Sequence, residues 1–197
     1  ESTKTMIDDL LALGVKIIFT STEFVFDGNR GMYNEKDQIN PILLYGEQKA
    51  EIERYLQTIA PEACILRLAK VYGLTPSDGT LFTGMFDLIQ STTTIRCASD
   101  QVFSPVYVGD VVKAILAGIE TPLDGLFHVA GPDTNSRLGF LQQVIEEQRP
   151  GGLMNLEVAK CSIHDFDLPE PRPLNVSMNS DKLFSATGLN FLRSADA

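Results

Sequence analysis

The residues of this 197-residue chain best suited to chemistry are Tyr45 and Lys49, which the run YGEQK places four apart. On a helix that spacing puts both side chains on one face. A phenol with an ordinary pKa near ~10 is a poor acid-base catalyst at neutral pH, and an adjacent ammonium favours the phenolate and brings that pKa down. Lys49 supplies such a charge. Carbonyl chemistry also needs a group that polarises the oxygen. The run VKIIFTS, followed by Thr22, delivers hydroxyls from Ser21 and Thr22 at a strand end, the edge where α/β folds bind ligands. Chance alone yields a Tyr-x-x-x-Lys pair about 0.2 times in a chain of this composition, so the pair needs its context.

That context is a regular alternation of elements. Met6, Ile7, Leu10, Leu11 and Leu13 recur at helical spacing and stop at Gly14. Val15 to Ser21 is short, apolar and β-branched, the pattern of a strand buried on both faces. Residues 27–40 are polar and turn-rich. Asn40-Pro41 offers an N-cap with proline in the first turn of a helix running to about Ala60. Ala63 to Ala69 reads as a strand, Leu81 to Gln90 as a helix, Ser104 to Val108 as an extended run, and Asp110 as the cap of the helix VVKAILAGIE. Gly125 to Gly131 is a strand ending in a turn. Such alternation argues for parallel βαβ units. Further on come a helix from Arg137 to Gln148, a Pro-Gly-Gly break at 150–152, the extended run LEVAKCSI, a proline-rich loop, and a helix DKLFSAT closed by Gly188.

Composition narrows the classes. With 44% hydrophobic and 21% charged residues the chain has the make-up of a globular protein. A net charge of -10 provides no diffuse positive field for a nucleic acid. Locally placed arginines still suit a small anionic ligand. Cys64, Cys97 and Cys161 are odd in number and far apart, which fits free thiols in a reducing cytoplasm. No run approaches the ~18 consecutive apolar residues of a membrane span.

STEFVFDG, then Tyr33, Glu35, Pro41 and YGEQKAEIE, resemble the corresponding run of the dTDP-4-dehydrorhamnose reductases, members of the extended short-chain dehydrogenase/reductase superfamily. ILRLAKVYG (65–73), DQVFSPVYVGDVVKAI (100–115), LFHVAGPDTNSRLGF (126–140) and RPLNVSMNSDKLFSATG (172–188) are similar to further family segments in the same order. The resemblance implies an α/β fold: a partial Rossmann-type parallel sheet with helices on both faces plus a small α+β substrate-binding domain. Residues 1–72 and 103–131 would form the C-terminal part of the dinucleotide-binding domain, and residues 73–102 and 132–197 the substrate-binding domain.

The same resemblance implies an NAD(P)H-dependent reductase of a nucleotide-linked 4-keto-6-deoxysugar. Tyr45 would be the general acid, Lys49 would lower its pKa and bind the cofactor ribose, and Thr22 would hydrogen-bond the carbonyl. Ser21, Tyr45, Lys49 and Leu68 would contact NADP or NAD. Thr22, Glu23, Phe24, Lys70, Gln101 and Arg172 would line the substrate, with Arg172 reaching its diphosphate. A nucleotide-sugar substrate and a homodimer through the Tyr45 helix follow as expectations, with no metal. Glu23 and Phe24 stand where the family usually shows Asp and Tyr, and Ala69-Lys70 where Ser-Trp is common, which leaves the sugar open. An epimerase or dehydratase on the same scaffold is an alternative. So is a non-catalytic subunit like the regulatory subunit of methionine adenosyltransferase.

Other polar residues read as structural. His128, between Phe127 and Val129, reads as a buried, satisfied histidine. His164 beside Asp165 lacks the partners of a metal site. Glu51 and Glu53 read as a solvated helix face, and Lys70 reads more readily as a solvated loop lysine. The fifteen glycines include no G-x-x-G-x-x-G or G-x-G-x-x-G turn to cradle a pyrophosphate. The closest approach, Gly28 and Gly31 with Asn34, lies in a polar loop. In the family about four strands precede the segment where Glu1 falls. The expectation is therefore a partial chain with an open sheet edge, one that does not hold NADPH tightly by itself.

Overall fold

The computed structural model describes residues 2–148 and 156–196; the Pro-Gly-Gly stretch at 150–152 lies outside them. In chain order the elements are α1 (Ser2–Ala12), β1 (Ile18–Thr22), α2 (Leu44–Ile59), β2 (Cys64–Leu68), β3 (Val71–Tyr72), α3 (Leu81–Ser91), β4 (Thr94–Ala98) and β5 (Val102–Phe103). They continue with β6 (Val106–Tyr107), α4 (Val108–Glu120), β7 (Gly125–Val129), β8 (Asn135–Ser136), α5 (Arg137–Gln148), β9 (Glu157–Cys161) and α6 (Asp181–Thr187).

The apolar, β-branched runs become a parallel sheet in the order β1-β2-β7. Its register places Ser21, Arg67 and His128 in one row and Thr22, Leu68 and Val129 in the next, at the carboxyl ends of the strands. Alternation of side chains sends the two rows to opposite faces. On one face Ile65 and Leu126 pack with Ile7 of α1 and Leu56 of α2. On the other, Cys64, Leu66 and Phe127 pack with Ala114 of α4 and Leu183 of α6. The α/β architecture with helices on both faces of a parallel sheet is thus present. Among the described residues β1 is hydrogen-bonded only to β2, and α4 leaves Val108, Val112, Leu116 and Ile119 exposed along one face.

A second core lies beside this sheet. β4 pairs in parallel with β9, and α3 and α5 pack together over Ile95, Cys97 and Phe140. The small ladder β5-β8 and the bridge Val102 to Asn175 tie it to the 172–178 segment.

Several local expectations shift. β1 starts three residues later than read and includes Thr22. The strand β4 was not legible as one, because Arg96 and flanking threonines interrupt its apolar pattern. α2 begins at Leu44 rather than at Pro41, because Asn40 is occupied elsewhere. Its N–H donates to the Val25 carbonyl and its side chain donates to Asp27 at 3.1 Å. Asp110 lies inside the first turn of α4 and does not precede it. Its buried carboxylate accepts Lys113 Nζ and the Leu192 N–H, both at 2.7 Å, pinning the C-terminal segment. α6 ends at Gly188 in the left-handed region, φ 70°, as its sequence position required.

Candidate active site

The site forms where α2 meets the end of β1. Residue 46 of α2 is glycine because a Cβ there would overlap the carbonyl oxygen of Phe24. The helix end is therefore laid directly against the turn that follows Thr22. Leu43, at the N-cap position, offers no side-chain acceptor, and the Leu44 N–H instead donates to Glu170 Oε1 at 3.0 Å. A carboxylate from the proline-rich loop thus caps the helix that carries Tyr45. No local signal in the sequence announces this contact across 126 residues.

Lys49 Nζ donates to the Thr20 carbonyl at 2.7 Å and lies 5.8 Å from the Tyr45 ring centroid. Burial pushes the Lys49 pKa down, and the charge of Glu53 opposes this. Tyr45 is half exposed at the helix end, its phenol open to a ligand. Thr22 is buried, and its Oγ1 accepts the Phe24 N–H at 3.3 Å, capping a 3-10 turn over Glu23–Val25. The hydroxyl hydrogen of Thr22 remains available to a ligand oxygen.

One turn beyond Lys49, Glu53 corrects the sequence reading. Glu51 is solvated and pairs with Lys4, but Glu53 is 1% exposed. It receives Arg67 Nε at 2.9 Å and Arg67 Nη2 at 2.7 Å, a bidentate pair between α2 and β2. Arg67 Nη1 lies 3.4 Å from His128 Nε2, and His128 Nδ1 lies 3.2 Å from the Tyr33 carbonyl. His128 is buried and structural, as its neighbours implied. Burial first, and Arg67 second, hold its pKa down to about 3. The Ile65/Arg67 alternation in CILRL was the available signal: an arginine on an inward row must find a carboxylate.

Beside Thr22 opens a cavity of about 420 Å³. Glu23, Phe24, Lys70, Gln101 and Arg172 all line it, so five of the six expected substrate residues share one space; the sixth, Thr22, precedes Glu23 in the chain and does not line it. Arg96 and Arg137 line it too, and sequence reasoning missed both. Arg137 Nε donates to Gln101 Oε1 at 2.8 Å, and Arg96 reaches the Asp165 carbonyl at 3.3 Å. Arg172 lies over the Phe24 ring, 5.8 Å from its centroid. None of Lys70, Arg96, Arg137 and Arg172 enters an ion pair among the described residues. Four unpaired cations around one cavity, in a chain of net charge -10, favour an anionic ligand. A larger cavity of about 750 Å³ lies between α3, α5 and residues 194–196, and holds none of the expected residues.

The residues expected at a nicotinamide cofactor lie at the ends of β1 and β2 and in the first two turns of α2. Ser21 Oγ is buried without a hydrogen-bond partner among the described residues, and Leu68 ends β2 beside Thr22. With Tyr45 and Lys49 they fit the nicotinamide-ribose end of such a group. Among the described residues no glycine-rich turn stands at a strand end to take its pyrophosphate.

A parallel α/β sheet with a Thr, Tyr and Lys set at its carboxyl edge is the architecture of the short-chain dehydrogenase/reductase class. Residues 1–194 match the RmlD substrate binding domain, and the chain belongs to that family. It is 30% identical over 183 residues to dTDP-4-dehydrorhamnose reductase of Aggregatibacter actinomycetemcomitans, covering 88% of this chain and 61% of that protein. Among solved structures, dTDP-4-dehydrorhamnose reductase of Bacillus anthracis in complex with NADP is 26% identical with TM-score 0.79, covering 91% of this chain and 62% of that one. The Clostridium acetobutylicum reductase superposes with TM-score 0.83 at 24% identity, covering 98% of this chain and 66% of that one. The chain thus spans about three fifths of the length of its curated relatives.

Proposed function

We propose that these residues form the catalytic and substrate-binding part of an NAD(P)H-dependent reductase acting on a nucleotide-linked 4-keto-6-deoxysugar, a dTDP-sugar by the relatives it matches. The observation that carries this reading is Lys49, 5.8 Å from the Tyr45 ring and fixed on the Thr20 carbonyl, on a strand whose continuation, Glu23 and Phe24, lines a cation-rich cavity. Within it, residues 1–72 and 103–131 serve the cofactor side, and residues 73–102 and 132–197 serve the substrate side.

When bound, NADP or NAD in its reduced form would supply the hydride to the ketone carbon. Thr22 Oγ1 donates a hydrogen bond to the ketone oxygen and orients it. Tyr45 Oη transfers its proton to that oxygen, so the ketone becomes a secondary alcohol. The phenolate left on Tyr45 faces the Lys49 ammonium and regains a proton from water. Lys49, Ser21 and Leu68 hold the ribose and nicotinamide. Arg172, joined by Arg96 and Arg137, binds the sugar diphosphate, where guanidinium forks suit the oxygens. Phe24, Lys70 and Gln101 bound the sugar.

No helix among the described residues is long and apolar enough to cross a membrane. The three cysteines are free, and we assign the protein to a reducing cytoplasm, without nucleic-acid partners and as a homodimer through α2. Titrating the chain with dTDP-L-rhamnose, the expected product, tests the substrate assignment calorimetrically. Saturable binding that Arg172→Ala weakens supports it. A folded chain that ignores the ligand contradicts it.

A further inference from the structure

Glu23 is the residue of the cavity whose chemistry the proton transfer from Tyr45 leaves unused. It follows Thr22 directly and begins the 3-10 turn, which directs it into the cavity wall with Phe24, Lys70 and Arg172. It is 4% exposed. Its Oε2 accepts one backbone N–H, from Lys70, at 3.2 Å. Carboxylates that deep in a protein are ordinarily paired with a cation. Glu23 is not, although Lys70 from the β2-β3 link, Arg96 from β4, Arg137 from α5 and Arg172 from the proline-rich loop line the same cavity. Gln101, Phe24 and an apolar side formed by Phe103, Ile163, Phe166 and Leu168 line the rest of the cavity. The four cations form no ion pair among the described residues, and the Lys70 ammonium acts on the buried carboxyl only from beyond ion-pair distance.

We propose that Glu23 works as a neutral carboxylic acid, donating its proton in a hydrogen bond to an oxygen of the sugar, so that the site selects the hexose through a donor that disappears when Glu23 ionises. This rests on the nucleotide-sugar reading above. Burial supports it, pushing the Glu23 pKa up to about 8 against smaller lowering effects of the Lys70 N–H and ammonium. A protonated acid has one O–H to give and accepts with its other oxygen, which matches a site where Lys70 N–H already occupies Oε2. The usual Asp of the family is one methylene shorter, so Glu23 carries the donor further into the cavity.

The test is calorimetric titration of the 197-residue chain with dTDP-L-rhamnose and with dTDP at pH 6.5 and 9. The wild type is expected to lose about tenfold in affinity for dTDP-L-rhamnose at the higher pH, the factor set by a pKa of about 8, while dTDP changes little. Glu23→Gln keeps an N–H donor and cannot ionise, so it should bind equally at both pH values. Glu23→Leu should bind the sugar nucleotide weakly at both and dTDP normally. Tyr45→Phe should retain the wild-type pH response, which assigns the loss to Glu23. A pH-independent wild type, or a Glu23→Gln variant that keeps the loss, overturns the inference while leaving the substrate assignment intact. Binding of dTDP alone with no gain from the sugar also overturns it. Failure of the folded chain to bind either ligand overturns both this inference and the substrate assignment.

Discussion

Gly46 of α2 abuts the carbonyl oxygen of Phe24, at a separation that leaves no room for a Cβ. This contact sets the position of Tyr45, one residue earlier on the helix, relative to Thr22, two residues earlier on the strand and turn. Gly46→Ala must push the helix end and the turn apart. The expected cost is about 1–3 kcal/mol, as for overpacking elsewhere. Urea unfolding measures it, and dTDP-L-rhamnose affinity should fall in parallel, because the Glu170 cap on Leu44 moves with the helix.

The pair Glu53 and Arg67 links the same helix to the sheet from within. Removing one partner strands a buried charge. Glu53→Ala is expected to cost about 3–5 kcal/mol, and Glu53→Leu with Arg67→Met much less, since the double change removes both charges. Thermal unfolding of the single and double variants checks the order. A double variant as damaged as the single one would show that Arg67 matters through packing alone.

Two buried titrating groups shape stability against pH. Folded Glu23 keeps its proton up to about 8 and the unfolded chain loses it near 4.5, so its contribution is full below 4.5 and is lost as pH rises through about 8. His128 acts oppositely: the unfolded chain takes a proton below 6.5 and the folded one only near 3. Between about 4.5 and 6.5 the two effects cancel. From 6.5 to about 8 only Glu23 of the two acts, and stability should fall as pH rises. Melting curves across that window should show the decline in wild type and a flat line in Glu23→Gln.

The cavity cations predict graded losses. Arg137→Ala and Arg96→Ala should each weaken dTDP-L-rhamnose binding by about tenfold, the usual worth of a charge-assisted hydrogen bond. Raising salt should weaken the wild type more than either variant. Equal affinity across all three proteins would remove the two arginines from the diphosphate site.

Much of this site was legible because its parts are local. The Tyr45 and Lys49 spacing, the strand ending at Thr22 and the helix closed by Gly188 each depend on neighbours in sequence. Glu53 was misread because its partner Arg67 is on another element, and a helical charge looks solvated until the strand beneath is known. Arg96 and Arg137 carried no pattern, since their meeting depends on how β4 and α5 stack. The start of α2 was placed too early because Asn40 spends its groups on Val25 and Asp27, a use set by the loop's tertiary path.

The absence of a glycine-rich turn in these 197 residues predicts weak cofactor binding by the chain alone. NADPH fluorescence should show no saturation in the micromolar range. Micromolar affinity would mean that some other element of the chain holds the pyrophosphate.

The central claim is that Tyr45 delivers the proton to a sugar ketone. It is tested most directly by turnover of a dTDP-4-keto-6-deoxyhexose with NADPH, using this chain joined to the part of the Bacillus anthracis reductase that it does not match. Tyr45→Phe should lower kcat by about a hundredfold or more with KM little changed, as expected for loss of a general acid. A Tyr45→Phe enzyme that turns over within a factor of about two of the parent would contradict the account.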